Sequence, residues 1–252
     1  MAYEKIFRSN KYLRDAGYFS AIALIIFAIT NLPNKKVEPV ETISLENPCP
    51  VHLPQGLPTG TAETNDLIVR GEYCLSSNDD TKFADWVAFR LTRETITGSS
   101  EQNRYWKADP AIAPSETLEP DDYEGAYQAY GYDRGHLAPL ASFRGANWEN
   151  VNYLSNIVPQ KAAFNRGAWK DLEEYERDLV REHGEVFVIV GTAYDDYFVG
   201  QLSNADEVAN IPDFLWRIIS YNGKIEAYIF PQETAAGTDF KLGETTVFEV
   251  EQ

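Results

Sequence analysis

The stretch FLWRIISYNGKIEAYIF, residues 214–230, leaves the chain the least freedom. Two runs of β-branched and aromatic residues flank Asn222-Gly223, a pair that accepts the positive φ angles of a two-residue turn, so the segment reads as an antiparallel hairpin. VFVIVGTAY at 186–194 reads as a buried strand, because its apolar run is nearly continuous. Upstream, LIVRGEYCLS reads as a first strand and KFADWVAFRLTRETI as a second. From Ala168 to about Glu182 the period changes: Leu172, Tyr175, Leu179 and Val180 form a helical stripe, with Gly184 as its stop. Strands, then a helix, then strands argue for an α+β fold with a mixed or antiparallel sheet core.

Composition sets bounds on what that fold needs. A chain of 252 residues with 44% hydrophobic content can bury a core without a metal or a disulfide to hold it. The net charge is -17. Residues 1–36 hold six basic and two acidic side chains, +4 in all, so -21 remains on the rest. Such a surface repels a polyanion at long range, which disfavours a stable DNA-coating role. A nucleic-acid ligand has to be held by a local basic patch or a metal.

The N-terminus reads as a separate object. A basic start is followed by the uncharged FSAIALIIFAITNL at 19–32 and then by polar PNKKVEPVE. That length suits the apolar region of a signal peptide better than the roughly 20 residues of a spanning helix, although a single-span anchor and a buried core helix stay open. The expectation for 1–36 is export, with the protein periplasmic, extracellular or anchored to a membrane. Residues 37–63 read as an extended Pro- and Gly-rich lead-in, and 64–252 as one domain. Cys49 and Cys74 both fall on the exported side, where they can pair.

Within that domain, DRGHLAPL at 133–140 places an acid, a base, a glycine and one of three histidines together. Asp133, Arg134 and His136 can be a surface turn held by an ion pair, or part of a site. The polar stretch from Ser99 to Tyr130 is long for a compact domain, and such loops more often serve a site than a linker. Asn165 precedes the striped helix, and Glu173 follows eight residues later. If that helix start packs on DRGH, an amide oxygen, a carboxylate and an imidazole converge, a donor set that suits Mg²⁺. The alternative makes Asn165 a helix N-cap and Glu173 a solvated glutamate.

DRGH, then YLSNIVPQ, then NRGAWKDLEEYERDL resemble the DNA/RNA non-specific endonuclease family, and in particular its secreted bacterial sugar-nonspecific members. TKFADWVAF, NRYWKADPA, LAPLASF and IPDFLWRII extend the likeness over most of residues 64–250. The resemblance implies a ββα-metal, or His-Me finger, active-site unit. It implies that His136 is the general base, that Asn165 binds the metal directly, that Glu173 orients the metal's waters and that Arg104 contacts the scissile phosphate. Arg134 is then the supporting arginine, orienting the loop or binding product phosphate, unless it merely pairs with Asp133. Mg²⁺ is the implied cofactor, with Mn²⁺ as a substitute, and DNA and RNA are the implied substrates, cut to 5′-phosphate products. An inhibitor protein is a further partner the resemblance allows. Lys107, Arg144, Lys161, Arg166 and Lys170 cluster in sequence around the motifs and are candidates for a cationic groove. The resembled family has a cysteine at the position of Cys49 but no evident counterpart of Cys74. His52 and His183 carry no assigned role. A binding module that does not cut, or an anchored envelope protein, is the alternative; neither explains the full set of His136, Asn165, Glu173 and Arg104.

Overall fold

The computed structural model describes residues 47–99, 103–145, 148–195, 202 and 204–251; the leader 1–36 and its stretch 19–32 lie outside the described residues. No helix of the described residues is long and apolar enough to cross a membrane. The core is a seven-stranded sheet in the order β1-β2-β3-β6-β7-β8-β9, every neighbouring pair antiparallel. Its strands are β1 (Asp66–Val69), β2 (Cys74–Ser77), β3 (Ala84–Thr92), β6 (Glu185–Ala193), β7 (Phe214–Tyr221), β8 (Lys224–Pro231) and β9 (Glu244–Thr245). The α+β expectation with an antiparallel sheet therefore holds.

The hairpin turns where its sequence asks it to. Asn222 and Gly223 have φ of 44° and 75°, the left-handed pair that matches the twist of β7 and β8. LIVRGEYCLS is not one strand, however. It is the β1–β2 hairpin, closed by the Arg70 N–H donating to the Tyr73 carbonyl at 2.8 Å. The apolar residues on either side of Gly71 conceal that reversal from a reading of periodicity alone.

Alternation divides the sheet into two faces. Val87, Phe89 and Leu91 of β3, Val186, Val188 and Val190 of β6, and Leu215 and Ile219 of β7 fill the main core. Against this face packs α3 (Lys170–His183), which buries Leu172, Leu179 and Val180. Each such side chain contributes about 1.5–3 kcal/mol by leaving water, so the helix is held by the stripe its sequence displays. Gly184, with φ 91°, ends it.

The opposite face is covered by the lead-in. Cys49 and Leu53 pack on Cys74, Trp86 and Ala88, and Cys49 is disulfide-bonded to Cys74 across 25 residues of sequence. A loop of that size gives a stabilisation of about 3 kcal/mol in the chain-entropy account. The buried His52 ring bridges the Arg70 carbonyl (3.1 Å) and the Arg90 N–H (3.2 Å), and burial holds its pKa below the ordinary value. Residues 47–252 form one compact unit, which takes in the lead-in from Asn47.

Apart from the sheet stand β4 (Tyr132–His136) and β5 (Ile157–Lys161), an antiparallel ribbon preceded by the short helix α1 (Ala126–Tyr130). After β5 come α2 (Ala162–Phe164), a π-type turn (Asn165–Trp169) and α3; α4 (Val247–Val250) lies at the far end of the chain. Gly167, at φ -109° and ψ -116°, breaks the helical path inside that turn. DRGH thus lies on a strand and not in a surface turn.

Candidate active site

The ribbon positions the histidine. Gly135 lies opposite Val158, and a Cβ there would sit 2.1 Å from the Gln160 side chain, so this position takes no side chain. His136, 9% exposed, follows at the strand end. Its Nε2 lies 3.1 Å from Asn152 Oδ1. With that oxygen as acceptor, Nε2 carries the proton and Nδ1 is left as the basic atom. Burial pushes the imidazole down to about 4, against which the Asn152 hydrogen bond acts and with which the charge of Arg104 acts. The ring is neutral at pH 7 and able to accept a proton.

Trp106 closes the other side, its ring 5.3 Å from that of His136. The polar loop is clipped in place for this by backbone bonds: the Leu154 N–H donates to the Lys107 carbonyl at 2.9 Å, and the Lys107 N–H to the Asn152 carbonyl at 3.4 Å. Arg104, exposed on the same loop, acts electrostatically on both His136 and Glu173. The loop, the ribbon and the helix therefore meet at one place.

Asn165 is not an N-cap. It has helical φ/ψ, and its Nδ2 donates to Asp133 Oδ2 at 2.9 Å, which ties the helix start to the ribbon and leaves Oδ1 as the atom able to face a cation. Glu173, one helical segment on, has a side chain 14% exposed and accepts no hydrogen bond from a described residue. Among the described residues its nearest cation is Arg217, at 3.9 Å. Burial raises its carboxyl to about 7, opposed by Arg217 and reinforced by the neighbouring Glu176. The pull of Arg217 is divided: Nη1 donates to Glu176 Oε1 at 2.9 Å, Nη2 to the Leu137 carbonyl at 3.0 Å, and the guanidinium lies 4.1 Å from the Trp169 ring. One buried arginine thus connects the residue after His136 to the helix that carries Glu173.

Two expectations about cations need correction. Arg134 does not pair with Asp133; its Nη2 donates to the Pro120 carbonyl at 2.9 Å, and its guanidinium lies 5.3 Å from the Tyr123 ring and 5.7 Å from Trp106. Asp133 is claimed instead by Arg166, through Nε at 2.8 Å and Nη2 at 2.6 Å. The candidate groove is also less cationic than its sequence suggests. Arg166 is neutralised by Asp133, Lys161 lies 3.5 Å from Glu233, and Arg144 turns its Nε to the Ala141 carbonyl. Lys107 lies over the Tyr153 ring at 5.8 Å, and Lys170 is exposed. Asn152, Trp106 and Arg217 were not singled out from the sequence. Arg217 alone had a visible mark, as the charged residue at an inward position of the apolar strand FLWRIISY.

Residues 55–252 match the model of the DNA/RNA non-specific endonuclease family. A nuclease of Serratia marcescens is 42% identical over 205 residues, covering 78% of this chain and 76% of that one. A nuclease of Nostoc sp. is 27% identical over 93% of this chain and 89% of its own length. Human mitochondrial endonuclease G is 30% identical over 70% of this chain and 62% of its own. Among solved structures, an EndoG/EndoGI complex matches the fold with a TM-score of 0.69 at 24% identity, over 80% of this chain and 87% of the other. The motifs around DRGH, the α+β fold and these matches agree, and the chain belongs to the DNA/RNA non-specific endonuclease family.

Proposed function

We propose that this chain is a Mg²⁺-dependent, sugar-nonspecific endonuclease that hydrolyses phosphodiester bonds of DNA and RNA to 5′-phosphate products. The observation that carries the reading is that Arg104 acts on both a buried, neutral imidazole, His136, and a carboxylate, Glu173, that accepts no hydrogen bond from a described residue, while Asn165 at the start of the same helical stretch is tied to the ribbon of His136 through Asp133. We read β4, β5 and α3 as the ββα-metal unit.

The donor set fits a hard cation. Asn165 would hold it through Oδ1, because Asp133 engages its amide nitrogen, and Glu173 would accept hydrogen bonds from its coordinated waters. Bound there, Mg²⁺ supplies a Lewis acid and a charge sink. His136 Nδ1 takes a proton from water, the oxygen attacks phosphorus in line, and the P–O3′ bond breaks, its electron pair staying on O3′, which takes up a proton from solvent water to give the 3′-hydroxyl beside the 5′-phosphate. Arg104 places fixed positive charge where negative charge accumulates. Arg134 braces Trp106 against the histidine. None of these groups reads a base edge or a 2′-hydroxyl, which supports action on both DNA and RNA. The Cys49–Cys74 bond supports an oxidising, exported setting, in keeping with the leader sequence. An inhibitor protein remains a proposed partner, as EndoGI is for EndoG in the matched complex.

Plasmid DNA and total RNA incubated with purified protein should both be degraded with Mg²⁺ and remain intact in EDTA. Intact substrates in every condition would overturn the reading.

A further inference from the structure

Fifteen tyrosines are present in the chain, yet among the described residues only four aromatic side chains are exposed: Tyr105, Tyr127, Tyr130 and Phe248. Three of the four flank the reactive strand. Tyr105 neighbours Arg104 and Trp106 on the loop that covers His136, while Tyr127 (50% exposed) and Tyr130 (46%) belong to α1, immediately before β4. Left-handed Gly125 and Gly131 bound that helix, and the spacing of three residues puts both rings on one side of it.

The rings continue into the site. Arg166, adjacent in sequence to Asn165, lies 5.0 Å from the Tyr127 ring; Tyr130 and Tyr132 are 6.3 Å apart; and Lys161 lies 4.6 Å from Tyr132. Arg166 keeps 59% of its side chain exposed, but Asp133 offsets its charge, as Glu233 offsets that of Lys161. Cations placed on rings and matched by carboxylates make a strip that is aromatic first and only weakly positive. For a chain of net charge -17 this matters, because long-range attraction of phosphates is unfavourable and any grip on substrate has to be short-ranged. Stacking of a base on an aromatic ring is such a grip and tolerates any sequence. It requires bases that are free of a duplex stack.

Building on the endonuclease reading, we propose that Tyr127 and Tyr130 form a base-stacking subsite for unpaired nucleotides beside the reactive strand, with Arg166 and Lys161 along the sugar–phosphate backbone. The subsite favours single-stranded stretches over duplex, and it acts on substrate affinity and not on the bond-breaking step.

Kinetics on a fluorescent single-stranded oligonucleotide and on its duplex test this directly. The double substitution Tyr127→Ala/Tyr130→Ala should raise KM for the single strand by about tenfold, the size expected when a base loses its aromatic partner, with kcat and the duplex KM unchanged. The pair Tyr127→Phe/Tyr130→Phe should restore the single-strand KM. Equal changes on both substrates, no change, or phenylalanines as poor as alanines would overturn the subsite. Should the alanine pair fail to fold, photo-crosslinking of wild-type protein to a single-stranded oligonucleotide carrying 5-iodouracil, in EDTA, decides. Adducts within 126–132 support the subsite, and adducts confined elsewhere overturn it. Because crosslinking needs no cleavage, failure of wild-type protein to degrade any substrate in Mg²⁺ would sink the endonuclease reading separately.

Discussion

Glu226 accepts a hydrogen bond from Tyr175 and Glu173 precedes Tyr175 by two residues on α3, yet the surroundings of the two carboxylates are opposite. Glu226, on β8, accepts hydrogen bonds from three phenols: Tyr175 at 3.1 Å, Tyr228 at 2.9 Å, and Tyr221. Tyr175 comes from α3 and Tyr221 from β7, so the carboxylate fastens the helix to the sheet. Phe240 closes the group, 5.2 Å from Tyr175 and 6.0 Å from Tyr228. Two residues before Tyr175, Glu173 has a divided arginine at 3.9 Å and no hydrogen bond from a described residue. Buried polar groups in a structural role are satisfied by their neighbours. A carboxylate left with open acceptor sites under the same arginine, Arg104, that acts on a buried imidazole is equipped to receive something from outside the chain, and displaced pKa values at such places are an expected mark of function. On the proposed reading, one helix thus anchors the domain with one stretch of its surface and serves chemistry with another.

The contrast predicts a separation of rate from stability. The largest expected effect is His136→Ala, a fall in turnover of about 10²-fold or more, with Mg²⁺ dependence nearly unchanged. Glu173→Ala should follow, with the loss of about 10–100-fold expected of its proposed role in orienting a metal's waters, and little change in melting temperature. Glu226→Ala should do the reverse, leaving turnover per folded molecule unchanged while three phenols lose their acceptor, at about 2 kcal/mol of stability. Kinetics and thermal unfolding on the same preparations check all three. A Glu226→Ala protein that folds normally but turns over tenfold more slowly would break the distinction between the two carboxylates.

A smaller effect concerns the proposed base itself. Asn152→Asp places a negative charge against the Nε2–H of His136 and should raise an imidazole now held near 4. A higher pKa means protonation, and loss of the base, at higher pH. The acidic limb of kcat/KM should move upward by about one unit, the size of a 1.4 kcal/mol change in differential interaction. A limb that stays in place would show that Asn152 does not set the tautomer.

How much of this was legible in sequence follows from the range of the contacts. The stripe of α3 and the Asn222-Gly223 turn are local patterns, and each lies where its residues indicate. The order of DRGH, Asn165 and Glu173 was legible through likeness to a family, because the β4–β5–α3 stretch keeps the proposed site residues within 41 positions of one another. Other features depend on partners that no local pattern marks. Asn152 reaches His136 across 16 residues, Arg166 takes Asp133 across 33, and Arg217 meets the Leu137 carbonyl across 80. Asn165 looked like a cap because asparagine suits caps; its long-range partner Asp133 places it inside the helical path instead. The part of the lead-in from Asn47 onward, read as a loop from its prolines and glycines, packs on the core through one disulfide and the back face of β3.

The smallest effect is the most direct probe of Glu173 as an open carboxylate. Its folded pKa of about 7 lies above the ordinary value of 4.5 because burial disfavours the charge more than Arg217 favours it. A group whose pKa is raised by folding contributes stability that is fully present below the unfolded value and is lost as pH rises through the folded one. Metal-free protein should therefore give up stability on this account between about pH 4.5 and 7. Glu173→Gln removes the titration, so its advantage over wild type should be near zero at about pH 4.5 and grow to on the order of 1 kcal/mol at pH 8. Denaturant unfolding in EDTA at both pH values measures the difference. Parallel curves would mean that Arg217 already satisfies the charge, which would make Glu173 a closed structural carboxylate like Glu226 and leave Asn165 without the neighbour that the metal's waters require.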